Sequence, residues 1–254
     1  MSELYDNPLY YEIAFSFRDI PSEVDLFEKC FQLFSRVPVK SVLELGCGNS
    51  PHMEELAKRG YRYYGLDLNP AMLTYSRSKA ERAGIDVNLF QANMNDFVLD
   101  KNVDFVFLML GSLFVKNNDE LNAHLDSVAK VLNKGGLYLQ DWCIQDEPMS
   151  EGQSDCWELE RDGIKVKTTH SCRIISRTEQ TFEEKLVIEV DDNGKQYKVT
   201  DKAVRRGIYP QEFLSLISNH PHFEFVGWWN NWDLNQPLDK AGAFSRPIVL
   251  LRRI

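Results

Sequence analysis

The chain has 254 residues, 43% hydrophobic and 26% charged, enough apolar material for one large domain or a core domain with an insert. Its formal net charge of -9 repels phosphate backbones and speaks against DNA or large RNA as a partner. The five cysteines (Cys30, Cys47, Cys143, Cys156 and Cys172) form no C-x-x-C pair and are odd in number, so no disulfide framework and no metal site are expected, only reduced thiols in a cytoplasmic setting.

The first residues, Met1 to Asp6, lack the basic and apolar regions of a signal peptide. An aromatic-rich stretch follows from Tyr5 to Glu12. Apolar spacing through Leu26, Phe27, Cys30, Phe31, Leu33 and Phe34 predicts a helix over Val24–Phe34, with Pro21-Ser22-Glu23 as its start. Short apolar runs then alternate with helical stretches. Strands are expected at Ser41–Leu45, Tyr61–Leu66, Val87–Phe90, Val103–Met109 and Leu137–Asp141. Helices are expected at Pro51–Arg59, Pro70–Ala83 and Glu120–Leu132. Strands alternating with helices imply βαβ units and a parallel sheet. The longest apolar stretch, Val103 to Val115, holds Asp104 and is too short for a bilayer, so no membrane partner is expected.

The pattern changes from about Gly152 to Arg206. Lys165–Thr168 and Leu186–Val190 read as strands, and Asp192-Asn193-Gly194 as a hairpin turn. A helix at Pro210–Ser218 and strands at Phe223–Trp229 and Pro247–Leu251 return to the earlier pattern. The expectation is therefore a Rossmann-like α/β core over residues 1–146 and 207–254, with an antiparallel β cap over 147–206 inserted after the fifth strand.

Leu43-Glu44-Leu45-Gly46-Cys47-Gly48-Asn49-Ser50-Pro51 leaves a strand and enters a helix. Glycine there permits backbone angles closed to other residues and lets a ligand approach the main chain. Asp67 ends the next strand 19 residues beyond Gly48, the offset at which an acid accepts ribose hydroxyls. A dinucleotide loop would favour a third glycine where Pro51 stands, and Glu44 would repel a pyrophosphate. The loop thus favours S-adenosylmethionine over NAD.

The run Leu43 to Gly48 resembles the first motif of class I S-adenosylmethionine-dependent methyltransferases. Gly65-Leu66-Asp67-Leu68-Asn69-Pro70 resembles their second motif, and Gln91-Ala92-Asn93-Met94-Asn95-Asp96 their adenine-facing segment. Asp104–Phe107 and Val131–Gly136 resemble the later strand and turn motifs. The resemblance covers about residues 40 to 141. It implies a seven-stranded, mostly parallel sheet with helices on both faces and an antiparallel last strand. It also implies that Glu44, Gly46, Cys47, Gly48 and Leu110 line the cofactor site, that Asp67 and Leu68 meet the ribose side, and that Asn93 and Met94 frame the adenine. Asn93 stands where many members carry an acid. In related enzymes the N-terminal segment folds over the cofactor, which would set Tyr11 at the methionine end and Arg18 on its carboxylate.

Methyl transfer from a sulfonium needs alignment and proton removal, so no catalytic residue type is compulsory. After the fourth strand, Leu110-Gly111-Ser112-Leu113-Phe114 replaces the Asn/Asp-Pro-Pro-aromatic run of base-amine methylating enzymes. A cap of this kind resembles that of amino-sugar and glycine N-methyltransferases. The expected acceptor is a small molecule methylated on N or O. His170, Asp141 and Tyr11 are the candidates for catalysis, while His52 and His124 read as surface residues. A SAM-binding protein without turnover, a protein methyltransferase and, less well matched, a nicotinamide oxidoreductase are the other readings. A homodimer is left open.

Overall fold

The structure, a computed structural model, describes residues 4–145 and 154–254. The expected cap boundary at 146/147 lies outside them. Two short N-terminal helices, α1 (Pro8–Ala14) and α2 (Ile20–Phe34), precede β1 (Ser41–Leu45). Then come α3 (Met53–Lys58), β2 (Arg62–Asp67), α4 (Pro70–Ala83), β3 (Asn88–Gln91), β4 (Val103–Leu108), α5 (Asn118–Val131) and β5 (Leu132–Asp141). The chain continues through β6 (Ser154–Arg161), β7 (Ile164–Ser176), β8 (Thr181–Asp192) and β9 (Lys195–Arg206). It closes with α6 (Pro210–Asn219), β10 (Phe223–Trp229) and β11 (Ile248–Arg253).

Seven strands form one sheet in the order β10-β11-β5-β4-β1-β2-β3. All neighbours are parallel except β11, which runs antiparallel to β5 and β10. This is the doubly wound sheet expected from strands buried on both faces. One core lies under α2 and α3, where Val24, Phe27, Met53 and Leu56 meet Phe105 and Phe107. The other lies under α5 and α6, where Leu121, Leu125, Phe213 and Ile217 meet Val106, Leu108 and Tyr138. No helix among the described residues is long and apolar enough to cross a membrane.

Some element ends differ from expectation for polar reasons. Helix α5 begins two residues before Glu120 because the Asn117 side chain accepts the Glu120 N–H at 2.9 Å, a cap that apolar spacing does not register. The helix after the glycine loop starts late because Gly46, Gly48 and Ser50 take left-handed angles that a first helical turn does not allow, with the Ser50 N–H donating to Cys47 O at 2.7 Å. Gly135 and Gly136, at the end of the expected Val131–Gly136 motif, lie inside β5. A Cβ on Gly136 would stand 2.6 Å from Asp104 O, so the close strand approach there requires glycine.

The cap is a separate antiparallel sheet, β6-β7-β8-β9. Its hairpin turn falls at Asn193-Gly194, both with positive φ (52° and 86°), as a type I′ turn demands. The cap packs on α1 rather than on the main sheet alone. Val166, Ile188, Val190 and Val199 bury against Leu4, Ile13 and Ala14. Each such aliphatic side chain contributes about 1.5–3 kcal/mol when fully buried, so α1 is fixed between cap and core.

Candidate active site

Gly46 (φ +60°) and Gly48 (φ +51°) both adopt left-handed angles as the chain leaves β1. The turn is tied to β2 by the Cys47 N–H donating to Leu66 O at 2.8 Å. A Cβ on Gly46 would also press on Met94 Cε at 3.3 Å. Asp67 braces the loop from below: its Oδ2 accepts the Gly48 N–H and its Oδ1 the Asn69 N–H, both at 2.8 Å. Each carboxylate oxygen keeps a further lone pair, which is what two vicinal hydroxyls need. Burial, opposed in part by those backbone bonds, raises the Asp67 pKa above that of a free carboxylate.

A cavity opens over this loop. Tyr11, Arg18, Glu44, Gly46, Cys47, Gly48 and Leu110 line it, with Phe15, Asn49, Pro51, Met109 and Ser112. The last five carry no sequence signal beyond adjacency to the loop, to α1 or to the end of β4. Of the other residues expected here, Met94 is nearly buried beside Gly46. Leu68 presents an apolar side chain that is 59% exposed. Asn93 is exposed, and its Oδ1 accepts the Asn95 N–H at 3.0 Å in a local turn. A larger groove, between α5 and α6, shares none of these residues.

Helix α1 covers the cavity. Tyr11 stacks on Phe15 at 4.7 Å between centroids and on Tyr5 at 5.6 Å. Burial, then the nearby Asp67 charge, pushes the Tyr11 hydroxyl up to about 12, so it stays protonated at neutral pH. Glu12 holds the helix from three sides: it accepts from Lys79 at 2.9 Å, from Asn49 at 3.2 Å and from cap residue Arg161 at 2.8 Å. The Trp157 indole of the cap donates to Ala14 O at 2.7 Å.

Behind the loop runs a buried chain of charges. Tyr63 donates to Glu44 at 2.5 Å, and His52 lies between Glu44 (3.0 Å) and Glu23 (2.8 Å). His52 is therefore not a surface residue; it is fully buried. Burial opposes its charged form, but the two glutamates outweigh that and raise its pKa. Arg18 pairs with Glu23, and its Nη2 lies 3.0 Å from His52 Nε2, so its guanidinium is engaged on the cavity wall. Arg246 bridges Glu23 and Asp141, each at 2.8 Å.

This chain redefines Asp141. Its carboxylate is fully buried and accepts from Arg246, from the Trp232 indole at 2.8 Å and from the Leu110 N–H at 2.9 Å. It holds the left-handed Leu110 turn (φ +53°) in place and has no open face toward an acceptor. The catalytic candidate Asp141 is thus engaged by three donors at the end of β5. His124 is also fully buried, its Nδ1 donating to Met94 O at 3.0 Å and its Nε2 accepting from Tyr138 at 2.6 Å.

His170 does stand on the inner face of the cap, half-buried, 3.3 Å from Glu184 Oε1 and 3.7 Å from Cys172 Sγ. Contact with Cys172 and then Glu184 lifts its pKa to about 10. Arg205 pairs with the same Glu184 oxygen and donates to Gly111 O, joining the cap to the loop after β4. It lies over the rings of Phe182 and Phe114, at 5.2 and 5.7 Å.

Residues 42–136 match a family model described as a methyltransferase domain. Over 142 residues the chain is 32% identical to dTDP-3-amino-3,4,6-trideoxy-alpha-D-glucopyranose N,N-dimethyltransferase of Streptomyces venezuelae, covering 55% of this chain and 58% of that protein. Over 126 residues it is 28% identical to a carboxy-S-adenosyl-L-methionine synthase of Campylobacter jejuni, covering 48% and 53%. The matches thus span little more than half the length of these curated relatives. Among solved structures, the sugar N-methyltransferase KedS8 of Streptoalloteichus superposes with a TM-score of 0.75 at 19% identity, covering 100% of this chain and 94% of that one. Residues 42–136 thus match a methyltransferase domain, and the whole chain shares the fold of a solved methyltransferase.

Proposed function

We propose that this chain is an S-adenosylmethionine-dependent methyltransferase acting on the amino group of a small polar acceptor of the amino-sugar class. The observation that carries the reading is the cavity over the glycine loop. It is braced by Asp67 and covered by Tyr11 of α1, which the cap holds in place through Arg161 and Trp157. The cofactor supplies a methyl group already activated by its sulfonium charge. Tyr11 and Phe15 offer aromatic faces of the kind that favour such a cation, and Glu44 and Asp67 supply negative charge. Met94 supplies apolar surface for the adenine, as the resemblance implies.

On the acceptor side, Glu184 and Asp201 of the cap lie close enough to act electrostatically on Tyr5. Asp201 supplies negative charge that favours an ammonium in the cleft, and enclosure aligns the amine once it is deprotonated. The dimethyltransferase and KedS8 relatives act on amino sugars by name, which supports an amine over a hydroxyl. Free thiols at all five cysteines suit a reducing, cytoplasmic compartment.

The test is transfer of labelled methyl from S-adenosylmethionine to nucleotide-linked amino sugars, to their hydroxyl analogues and to a protein extract. Label on the amino sugars alone is expected. Label confined to protein would replace this reading with a protein methyltransferase. Cofactor binding without any transfer would leave a regulatory SAM-binding protein.

A further inference from the structure

His170 and Cys172 alternate with Ser171 on β7, so both side chains leave the same face of the cap sheet. Glu184 is the direct cross-strand partner of Cys172 on β8. The pairing brings an imidazole, a thiol and a carboxylate together, with one ligand atom of each within 4.8 Å of the others. We propose that these three residues form a binding site for a borderline-soft divalent cation of the zinc class, with a fourth coordination position facing the cleft between cap and glycine loop.

The distances fit such an ion. Tetrahedral zinc with bonds of about 2.0–2.1 Å to N and O and about 2.3 Å to S places N and O roughly 3.3 Å apart, and N and S roughly 3.6 Å apart. His170 Nε2 stands 3.3 Å from Glu184 Oε1 and 3.7 Å from Cys172 Sγ. The third pair, Cys172 Sγ and a Glu184 oxygen, lies within 4.8 Å. The chemistry fits as well: one nitrogen, one sulfur and one oxygen ligand suit zinc far better than magnesium or calcium, which take oxygen almost exclusively.

Cys172 is 7% exposed and Glu184 largely buried, while the His170 side chain is 32% exposed, so the cluster opens on one side only. Three protein ligands with an open side are the arrangement of a zinc site that exchanges water for a ligand oxygen. Arg205 completes the surroundings. It grips Glu184 Oε1 and Gly111 O, orienting the carboxylate as outer partners of metal ligands do and tying the site to the loop that lines the cofactor cavity. The site stands on its own residues and does not depend on the methyl-transfer reading.

The test is titration of the chelator-treated full chain with Co2+, followed by optical absorption and by competition with Zn2+. One equivalent is expected to develop thiolate-to-cobalt charge-transfer absorption with intense visible bands of a tetrahedral ion, both abolished by Zn2+. Cys172→Ser should remove the charge-transfer absorption. His170→Ala and Glu184→Gln should each weaken binding by more than about tenfold. Cys156→Ser, which removes the exposed thiol, should change nothing. Should Cys172→Ser fail to fold, X-ray absorption on the zinc-loaded wild type decides, a single sulfur neighbour at about 2.3 Å being expected. The proposal falls if the wild type shows no saturable thiolate band, if the band survives Cys172→Ser and is lost in Cys156→Ser, or if zinc has no sulfur neighbour. The cluster would then be an imidazolium–carboxylate pair beside a thiol.

Discussion

Replacing Asp141 with Asn separates a positioning role from a catalytic one. Asn keeps the shape but turns an NH2 group toward Arg246 and leaves one carbonyl oxygen to serve both the Leu110 N–H and the Trp232 indole. Breaking a buried ion pair by removing one partner costs about 3–5 kcal/mol. Arg246 retains Glu23 at 2.8 Å and is 24% exposed at its side chain, which puts the expected loss at the lower end, about 3 kcal/mol. At about 2–4 °C per kcal/mol for a chain of this size, the midpoint of thermal unfolding should fall by about 6–12 °C. The Leu110 turn, which holds a non-glycine residue in the left-handed region at a cost of about 1–2 kcal/mol, then shares its only acceptor with the Trp232 indole. Cofactor affinity should weaken with it, by about tenfold if most of that strain is released. The assays are thermal or denaturant unfolding and calorimetric titration with S-adenosylmethionine. An unchanged midpoint and affinity, with turnover lost, would refute this reasoning and return Asp141 to the role of base.

Two further perturbations follow from packing and burial. Gly65→Ala should destabilise the fold by about 1–3 kcal/mol in urea unfolding, because its Cβ would stand 2.8 Å from Leu89 Cδ2 and 2.9 Å from Cys47 Sγ; a neutral effect would mean that β2 and the glycine loop have slack. For His124, burial lowers the pKa to about 4, below the value of about 6.5 in an unfolded chain. The unfolded chain therefore takes up the proton first as pH falls. The stability held by neutral His124 is complete above about pH 6.5 and declines toward pH 4, by up to about 3 kcal/mol. Unfolding of wild type and His124→Gln across that range should show a shallower pH dependence in the variant; parallel curves would mean that the ring does not titrate this way.

The sheet was legible because its strands are buried on both faces and read as apolar runs, and the glycine loop because Gly46, Gly48 and Asp67 act within one βαβ unit. The cap was legible at Asn193-Gly194 and at its inward aliphatic residues, but half of each strand faces solvent, which shortened the expected strands. The buried charges were not legible. His52 follows the glycine loop like any first-turn residue, and its burial depends on Glu23 from α2 and, through it, on Arg246, 223 residues away from Glu23. Asp141 looks like any acid at a strand end until Arg246 and Trp232 close over it. The His170–Cys172 spacing is visible in sequence, but Glu184 joins it only through the β7–β8 register.

Calorimetric titration of wild type and Asp67→Ala with S-adenosylmethionine, using NAD as control, tests the central claim most directly. Asp67 accepts two backbone N–H groups and is free to accept hydroxyls, and a hydrogen bond to a charged group is worth about 1.5–3 kcal/mol. Saturable binding to wild type, weakened at least about tenfold in a folded Asp67→Ala and absent for NAD, is the predicted result. A well-folded wild type that binds no S-adenosylmethionine, or that binds NAD in its place, would contradict the account.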